Sequence, residues 1–156
     1  MSSLKVMVVD DEIPFVAVMS NRLRKTGLEV VQALNGTEAL NCLAKDPGID
    51  VVTLDVKMPG MDGIETLREI KKSYPLVEAI MLTSYATVES AIEGMRLGAS
   101  DYLTKPCSID ALTHIPRVVL LAEGHFHFRE VMARIWAYRM FRQRFEIGRC
   151  LDIVVG

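Results

Sequence analysis

The sequence predicts an α/β fold, in which a parallel β-sheet carries helices on both of its faces. Five short apolar segments alternate with segments whose apolar residues recur at helical spacing. Several of the short segments are continuous apolar runs, as expected for parallel strands that are buried on both faces. Because alternating strands and helices build a parallel sheet through right-handed crossovers, this rhythm also predicts how successive elements connect.

The five predicted strands are short and lie within the first 103 residues. Most of them are rich in valine, leucine, isoleucine or methionine, which suits a sheet core. They span residues 4–9, 29–33, 51–54, 79–82 and 101–103.

Amphipathic helices are predicted between the strands, and their ends carry sequence signals. The predicted apolar faces consist of Phe15, Val18, Met19 and Leu23 in the first helix and of Val88, Ala91, Ile92 and Met95 in a later one. Gly27 and Gly98 stand where two helices should end, each just before a strand. Asp62, followed three residues later by Glu65, predicts a capping box at the start of the third helix.

Composition narrows the classes of protein to which the chain can belong. Of the 156 residues, 50% are hydrophobic and 24% charged, the balance of a globular protein with one domain and a short extension. The net charge of −2 favours neither nucleic acid nor membrane binding. No apolar run approaches the roughly 20 residues that span a bilayer. With no recognisable signal peptide and three widely spaced cysteines, Cys42, Cys107 and Cys150, we expect a cytoplasmic protein.

Five polar residues stand at the carboxyl ends of the predicted strands. Asp10 and Asp11 follow the first strand, Asp55 the third, Thr83 the fourth and Lys105 the fifth. In a doubly wound sheet the ligand site forms at this edge, where the strand order reverses. Taken alone, the two adjacent aspartates would suit a helix cap and the lysine a solvated surface. Their convergence at one edge predicts a functional pocket.

The chemistry of this cluster points to phosphoryl transfer. Three carboxylates held together repel one another, and a hard divalent cation such as Mg²⁺ resolves the conflict. Phosphoryl transfer needs mainly positioning and neutralisation of charge. We therefore expect Asp55 to be the nucleophile, Asp10 and Asp11 to hold Mg²⁺, and Lys105 and Thr83 to bind phosphoryl oxygens.

The joint pattern resembles the receiver domains of two-component response regulators. The segment 55–63, DVKMPGMDG, is similar to the family's phosphoacceptor loop, and the other signature positions match in order. The resemblance covers residues 4–122 and implies a flavodoxin-like, doubly wound sheet of five parallel strands in the order 2-1-3-4-5. It also implies that the backbone carbonyl of Lys57 binds Mg²⁺ and that the Lys105–Pro106 bond is cis.

The resemblance further implies a function for the chain. Asp55 would accept a phosphoryl group from a sensor histidine kinase or a phosphotransfer protein, in a self-catalysed reaction rather than enzymatic turnover. Thr83 would move toward the phosphoryl group and Tyr102 would rotate into the vacated space, although an aromatic residue on a strand also serves simple packing. The surface of the fourth helix, fifth strand and fifth helix would then change its partners.

The last part of the chain departs from this pattern. Residues 114–156 contain seven arginines and four acidic residues, whereas residues 1–113 contain 11 basic and 16 acidic residues. Pro116 falls inside the expected fifth helix, which predicts a kink or an early end. We predict a receiver domain over residues 1–122 and a helical extension over 123–156, with its longest helix at 128–147. Either that extension or the surface of the fourth helix, fifth strand and fifth helix is a candidate for a homodimer.

Two other classes of function remain open from the sequence. A phosphatase with an aspartyl-phosphate intermediate is disfavoured because Lys57 stands where a DxD pattern needs a second aspartate. The chain could also be the receiver fragment of a larger DNA-binding transcriptional regulator, although nucleic acid binding by this chain alone is not expected.

Overall fold

The computed structural model describes residues 4–107, and these residues form one sheet with helices around it. The predicted fifth helix and the predicted C-terminal extension lie outside the described residues. In chain order the elements are β1 (Lys5–Val9), α1 (Ile13–Lys25), β2 (Glu29–Ala33), α2 (Gly36–Lys45), β3 (Val51–Leu54), α3 (Gly63–Ser73), β4 (Glu78–Thr83), α4 (Val88–Arg96) and β5 (Asp101–Thr104).

The sheet is entirely parallel, and its strand order is β2-β1-β3-β4-β5, as predicted. The order reverses between β1 and β3, which are adjacent although β2 separates them in sequence. Val9 pairs with Leu54 across these two strands, and Leu54 pairs with Met81 of β4. This register brings the carboxyl ends of the central strands level at one edge of the sheet, where a doubly wound fold forms its ligand site.

The central strands are buried because apolar side chains project from both of their faces. Along β1, Met7 and Val9 join one core cluster while Val6 and Val8 join the other. The four residues of β3 are all buried as well. Burial on both faces explains why these strands read as continuous apolar runs in the sequence.

The predicted helix signals are confirmed. Asp62 accepts a hydrogen bond from the Glu65 amide, and the Glu65 carboxylate accepts one from the Asp62 amide, which completes the capping box of α3. Gly27 and Gly98 follow α1 and α4 with φ angles of 89° and 99°. That left-handed backbone favours glycine and ends both helices where the sequence indicated.

Two predicted helical faces need correction. Val18 is 51% exposed, and the buried face of α1 instead contains Val16 beside Met19 and Leu23. In α4, Val88 and Ile92 are exposed. Helical spacing identifies residues that share a side, but it does not say whether a neighbouring element covers that side.

The strand ends shift by a residue from the predicted bounds, within the usual uncertainty of boundaries. Thr83 is the last residue of β4 and does not follow the strand, and β5 continues to Thr104. Within the part of the chain that the structure describes, no helix combines the length and apolar character that crossing a membrane requires.

Candidate functional site

The site begins with two aspartates that continue adjacent strands at the carboxyl edge of the sheet. The Asp10 amide donates to the Ala33 carbonyl, and the Asp55 amide donates to the Val9 carbonyl, each at 3.1 Å. Because both backbones remain in the hydrogen-bonded ladder, neither aspartate can drift away from the edge. β1 and β3 therefore hold Asp10 and Asp55 side by side at the point where the strand order reverses.

Asp11 completes a cluster of three carboxylates. One carboxylate oxygen each from Asp10, Asp11 and Asp55 can be chosen so that all lie within 4.8 Å of one another. Asp10 and Asp55 are only 1% and 4% exposed, whereas Asp11 faces solvent. An all-oxygen cluster with one open side suits a hard divalent cation that keeps part of its water shell.

Lys105 brings an ammonium group to the same cluster from the end of β5. Its Nζ donates a hydrogen bond to Oδ2 of Asp10 and lies 3.7 Å from Oδ2 of Asp55. The Lys105 side chain is only 8% exposed, and its amide donates to the Thr83 carbonyl. The Lys105–Pro106 peptide bond is cis, as predicted. The two residues expected to meet across the sheet, Asp55 and Lys105, thus do meet.

The carboxylates outnumber the ammonium with which they share this pocket. Burial raises the pKa of Asp10, the nearby charge of Asp55 raises it further, and the hydrogen bond from Lys105 only partly offsets these effects. The pocket therefore favours any additional positive charge that reaches Asp10 and Asp55.

Gly63, which the sequence marked only as part of the family loop, fixes the backbone of Asp55. Its amide donates to the Val56 carbonyl at 2.8 Å, and a Cβ atom placed on Gly63 would lie 1.9 Å from the Asp55 carbonyl oxygen. Oδ1 of Asp55 also accepts a hydrogen bond from the Val56 amide at 2.8 Å. The first turn of α3 is therefore packed directly on the loop that follows β3, and no side chain fits between them.

Thr83 and Tyr102 lie on neighbouring strands at different depths. The Thr83 side chain is fully buried at the end of β4, and its Oγ1 accepts a hydrogen bond from the Tyr85 amide. Tyr102 is half-buried on β5, and its hydroxyl lies 2.6 Å from Oγ of Ser90. Ser90 belongs to the capping box of α4, so Tyr102 is tied to the first turn of that helix.

Two other residues, Phe15 and Glu12, lie beside the Lys105 ammonium, and sequence reasoning assigned neither of them a role in the pocket. The ring of Phe15 lies under Lys105, with 3.9 Å between Nζ and the ring centroid, and Oε1 of Glu12 lies 3.9 Å from the same Nζ. The Lys57 ammonium lies 4.7 Å from the ring centroid of Tyr85. The position of Glu12 after the acidic pair was a usable signal, but that of Phe15 on α1 indicated only packing. The role of the Lys57 carbonyl stays a prediction.

Comparisons with known proteins identify the chain's relatives. Residues 6–117 match the model of the response regulator receiver domain family. A transcriptional regulatory protein, ZraR of Klebsiella oxytoca, is 40% identical over 107 residues, which are 69% of this chain and 24% of that protein. The regulatory protein AtoC of Escherichia coli is 34% identical over 138 residues, 86% of this chain and 30% of AtoC. A CheY-like receiver domain from Methanospirillum hungatei superposes with a TM-score of 0.73 at 28% identity, covering 78% of this chain and 98% of that domain.

The matched lengths show that the chain is similar to one part of the curated relatives and to nearly the whole of the solved receiver domain. The chain spans about a quarter of the length of the curated relatives it matches, whereas it covers nearly all of the solved receiver domain. The family model covers well over half of the chain and includes all five residues of the predicted pocket. The chain belongs to the response regulator receiver domain family of two-component signalling.

Proposed function

We propose that Asp55 accepts a phosphoryl group from a sensor histidine kinase or a phosphotransfer protein, in a reaction that requires Mg²⁺. The observation that carries this proposal is the cluster of Asp10, Asp11, Asp55 and Lys105 at the switch point of the sheet, in which Asp10 and Asp55 are buried. A pocket with excess carboxylate charge and one ammonium suits a dianionic phosphoryl group that arrives together with a divalent cation.

Each residue has a defined part in the transfer. A carboxylate oxygen of Asp55 forms a bond to phosphorus while the bond between phosphorus and the donor breaks, and the donor departs with that electron pair. Oδ1 of Asp55 already accepts the Val56 amide, so the oxygen that faces Lys105 is the better nucleophile. Lys105 and the Thr83 hydroxyl then bind phosphoryl oxygens. No general base is needed because the attacking atom is a carboxylate oxygen.

The carboxylates of Asp10, Asp11 and Asp55, together with the Lys57 carbonyl, would hold Mg²⁺. When bound, Mg²⁺ neutralises negative charge on the phosphoryl oxygens. The raised pKa of Asp10 is consistent with this role because a carboxylate destabilised by burial gains most from a metal ion.

Phosphorylation would act on a switch made of Thr83 and Tyr102. If Thr83 turns toward the phosphoryl group, its Oγ1 must give up the Tyr85 amide, and Tyr102 gains room to rotate. That rotation breaks the hydrogen bond to Ser90 and frees the first turn of α4. A bias of about 3–5 kcal/mol is enough to move such an equilibrium from mostly inactive to mostly active.

Phosphorylation with a small donor tests the proposal directly. The protein is incubated with acetyl phosphate and Mg²⁺ and weighed by intact mass spectrometry. We expect the mass of one phosphoryl group on the wild type, and none on Asp55→Asn or after removal of Mg²⁺ with a chelator. Asp50→Asn is the matched control, since Asp50 lies at the opposite end of β3 and accepts the Lys5 amide. Labelling of Asp55→Asn at the wild-type rate rules out the proposed site.

The same measurement separates a switch from a phosphatase. A switch accumulates one phosphoryl group per chain, whereas an enzyme with an aspartyl-phosphate intermediate turns over phosphomonoesters continuously. We propose the switch, with only self-catalysed phosphorylation and dephosphorylation. Sustained release of phosphate from simple phosphomonoesters would favour the enzyme instead.

The names of the relatives favour a second proposal, that the chain, with its receiver domain at residues 1–122, is a fragment of a larger DNA-binding transcriptional regulator. ZraR is named a transcriptional regulatory protein, and the match covers only a quarter of it. We do not expect this chain alone to bind duplex DNA, and a gel-shift assay at low salt tests that.

We further propose a cytoplasmic location, since the described cysteines Cys42 and Cys107 are free thiols. Sedimentation before and after phosphorylation tests the proposed homodimer.

A further inference from the structure

The ring of Phe15 borders the pocket at the Lys105 ammonium. Phe15 is the third residue of α1, it is half-buried, and it packs against the core cluster that contains Val16 and Leu82. The Lys105 ammonium lies over the face of its ring, 3.9 Å from the centroid. A cation at this distance from an aromatic face is attracted by the negative potential of the ring.

The ring differs in kind from the other groups around the ammonium. Asp10, Asp55 and Glu12 are carboxylates, and of these Glu12 is the exposed one, with its Oε1 3.9 Å from the ammonium. An aromatic face attracts the charge but does not need a directed N–H donor. The three donors of the ammonium therefore stay available for the carboxylates and for phosphoryl oxygens.

We propose that Phe15 is a positioning residue for phosphoryl transfer, whose ring holds the Lys105 ammonium over the pocket beside Asp10 and Asp55. This inference rests on the proposed function of Asp55. Without the ring, the ammonium would lie beside Asp55 in some molecules and near the exposed Glu12 in others. A smaller fraction of encounters with a phosphoryl donor would then lead to transfer.

The test uses variants of Phe15 that change the charge distribution of the ring and the volume of the side chain independently. Phe15→Leu keeps an apolar side chain and removes the aromatic face. Pentafluorophenylalanine at position 15 keeps nearly the same shape but reverses the electrostatic potential of the face. Phe15→Tyr and Phe15→Trp retain the attraction. The rate of phosphorylation by acetyl phosphate is measured for each variant at saturating Mg²⁺.

We expect phosphorylation to slow by about three- to tenfold in Phe15→Leu and in the fluorinated protein, and to stay within about twofold of the wild type in Phe15→Tyr and Phe15→Trp. Because every rate is measured at saturating Mg²⁺, a change in metal affinity caused by a displaced ammonium does not enter the comparison. A fluorinated protein that reacts at the wild-type rate overturns the proposal, as does a set of rates that follows side-chain volume alone.

The result is distinguishable from a failure of the proposed function. A wild-type protein that takes up no phosphoryl group overturns both proposals together. A wild type that is labelled on Asp55, with Phe15→Leu labelled equally fast, overturns only the role of Phe15. Unfolding in urea, measured for every variant, identifies any slow variant whose fold is weakened. For such a variant, the fluorinated protein decides, because its packing is nearly unchanged.

Discussion

Lys5 and Lys105 stand at opposite ends of the sheet, and both pair with carboxylates. Lys5 Nζ lies 2.9 Å from Oδ2 of Asp46 and 3.6 Å from Oε2 of Glu29, and its side chain is 25% exposed. The hydrogen bond between Lys5 and Asp46 raises the pKa of Lys5 and lowers the pKa of Asp46. Each partner is thus stabilised in its charged form, as in an ordinary salt bridge.

At the pocket, the pKa of the paired aspartate shifts in the opposite direction. Lys105 donates to Asp10, yet the pKa of Asp10 is raised because burial outweighs the bond and Asp55 adds negative charge. The chemical types of the partners therefore do not decide the outcome, since lysine and aspartate occur at both ends. Burial and the ratio of carboxylates to ammonium decide it. The charges of Lys5 and Asp46 stabilise each other, whereas the pocket of Asp10 and Asp55 is stabilised by an added cation.

The strongest change is expected in the free energy of unfolding, when a glycine at one end of the sheet or the other is replaced by alanine. Gly63→Ala at the pocket end should lower the free energy of unfolding by about 3 kcal/mol, because the new Cβ meets the Asp55 backbone. At the opposite end, a Cβ atom in Gly48→Ala meets only the ends of the Asp46 and Lys5 side chains, which can move, so we expect a change within about 0.5 kcal/mol. Urea unfolding followed by circular dichroism measures both. Equal losses would mean that the pocket end is no more constrained than the other.

The next prediction concerns the ammonium in the pocket. Lys105→Met should slow phosphorylation by acetyl phosphate about 100-fold, because a preorganised positive charge beside Asp55 is lost. The rate is followed by intact mass spectrometry at saturating Mg²⁺. A loss of less than about threefold would mean that the metal alone supplies the neutralisation and that Lys105 is dispensable.

A third prediction uses the opposite directions of the pKa shifts. Asp10 has a raised pKa when folded, so the folded protein retains a proton that the unfolded chain releases above its ordinary value of 3.8. The stabilisation that the protonated Asp10 gives the folded protein is present at low pH, and it is lost as the pH rises through the raised pKa of Asp10. Without metal, Asp10→Asn should therefore gain stability over the wild type as the pH rises from about 4 to 7.

Asp46 provides the contrast for this measurement. Its lowered pKa contributes stability above the ordinary value, and that stability is lost as the pH falls through the lowered one. Urea unfolding of Asp10→Asn, Asp46→Asn and the wild type gives both differences when the pH range is extended below 3.8, where the lowered pKa of Asp46 lies. Parallel curves for Asp10→Asn and the wild type would contradict a burial-dominated Asp10. Added Mg²⁺ should stabilise the wild type more than Asp10→Asn.

The smallest effect is expected at the exposed salt bridge. Lys5→Met should shift the urea midpoint only slightly and leave the rate of phosphorylation unchanged, because Lys5 lies at the far edge of the sheet and its partners are accessible to water. It is the matched control for Lys105→Met, since both remove one ammonium from a pair with aspartate. A loss of phosphorylation in Lys5→Met would mean that the two ends of the sheet are coupled.

Much of the fold and of the candidate site could be predicted because the signals are local. The apolar runs, the capping box of Asp62 and Glu65 and the terminal glycines each depend on a few neighbouring residues, and all are confirmed. The convergence of Asp10, Asp55 and Lys105 was also predictable, because the carboxyl ends of parallel strands share one edge. The strand order itself followed only from family resemblance.

Local sequence patterns were enough to predict which residues could form strands, where helices begin and end, and which polar side chains reach the pocket edge. Only the tertiary structure decided that Val18 faces solvent, that Gly63 packs on Asp55, that Ser90 bonds to Tyr102 and that Phe15 lies beneath Lys105. The physical reason is one of range. Capping and periodicity depend on residues a turn apart, whereas these features depend on how different elements pack against one another around the sheet.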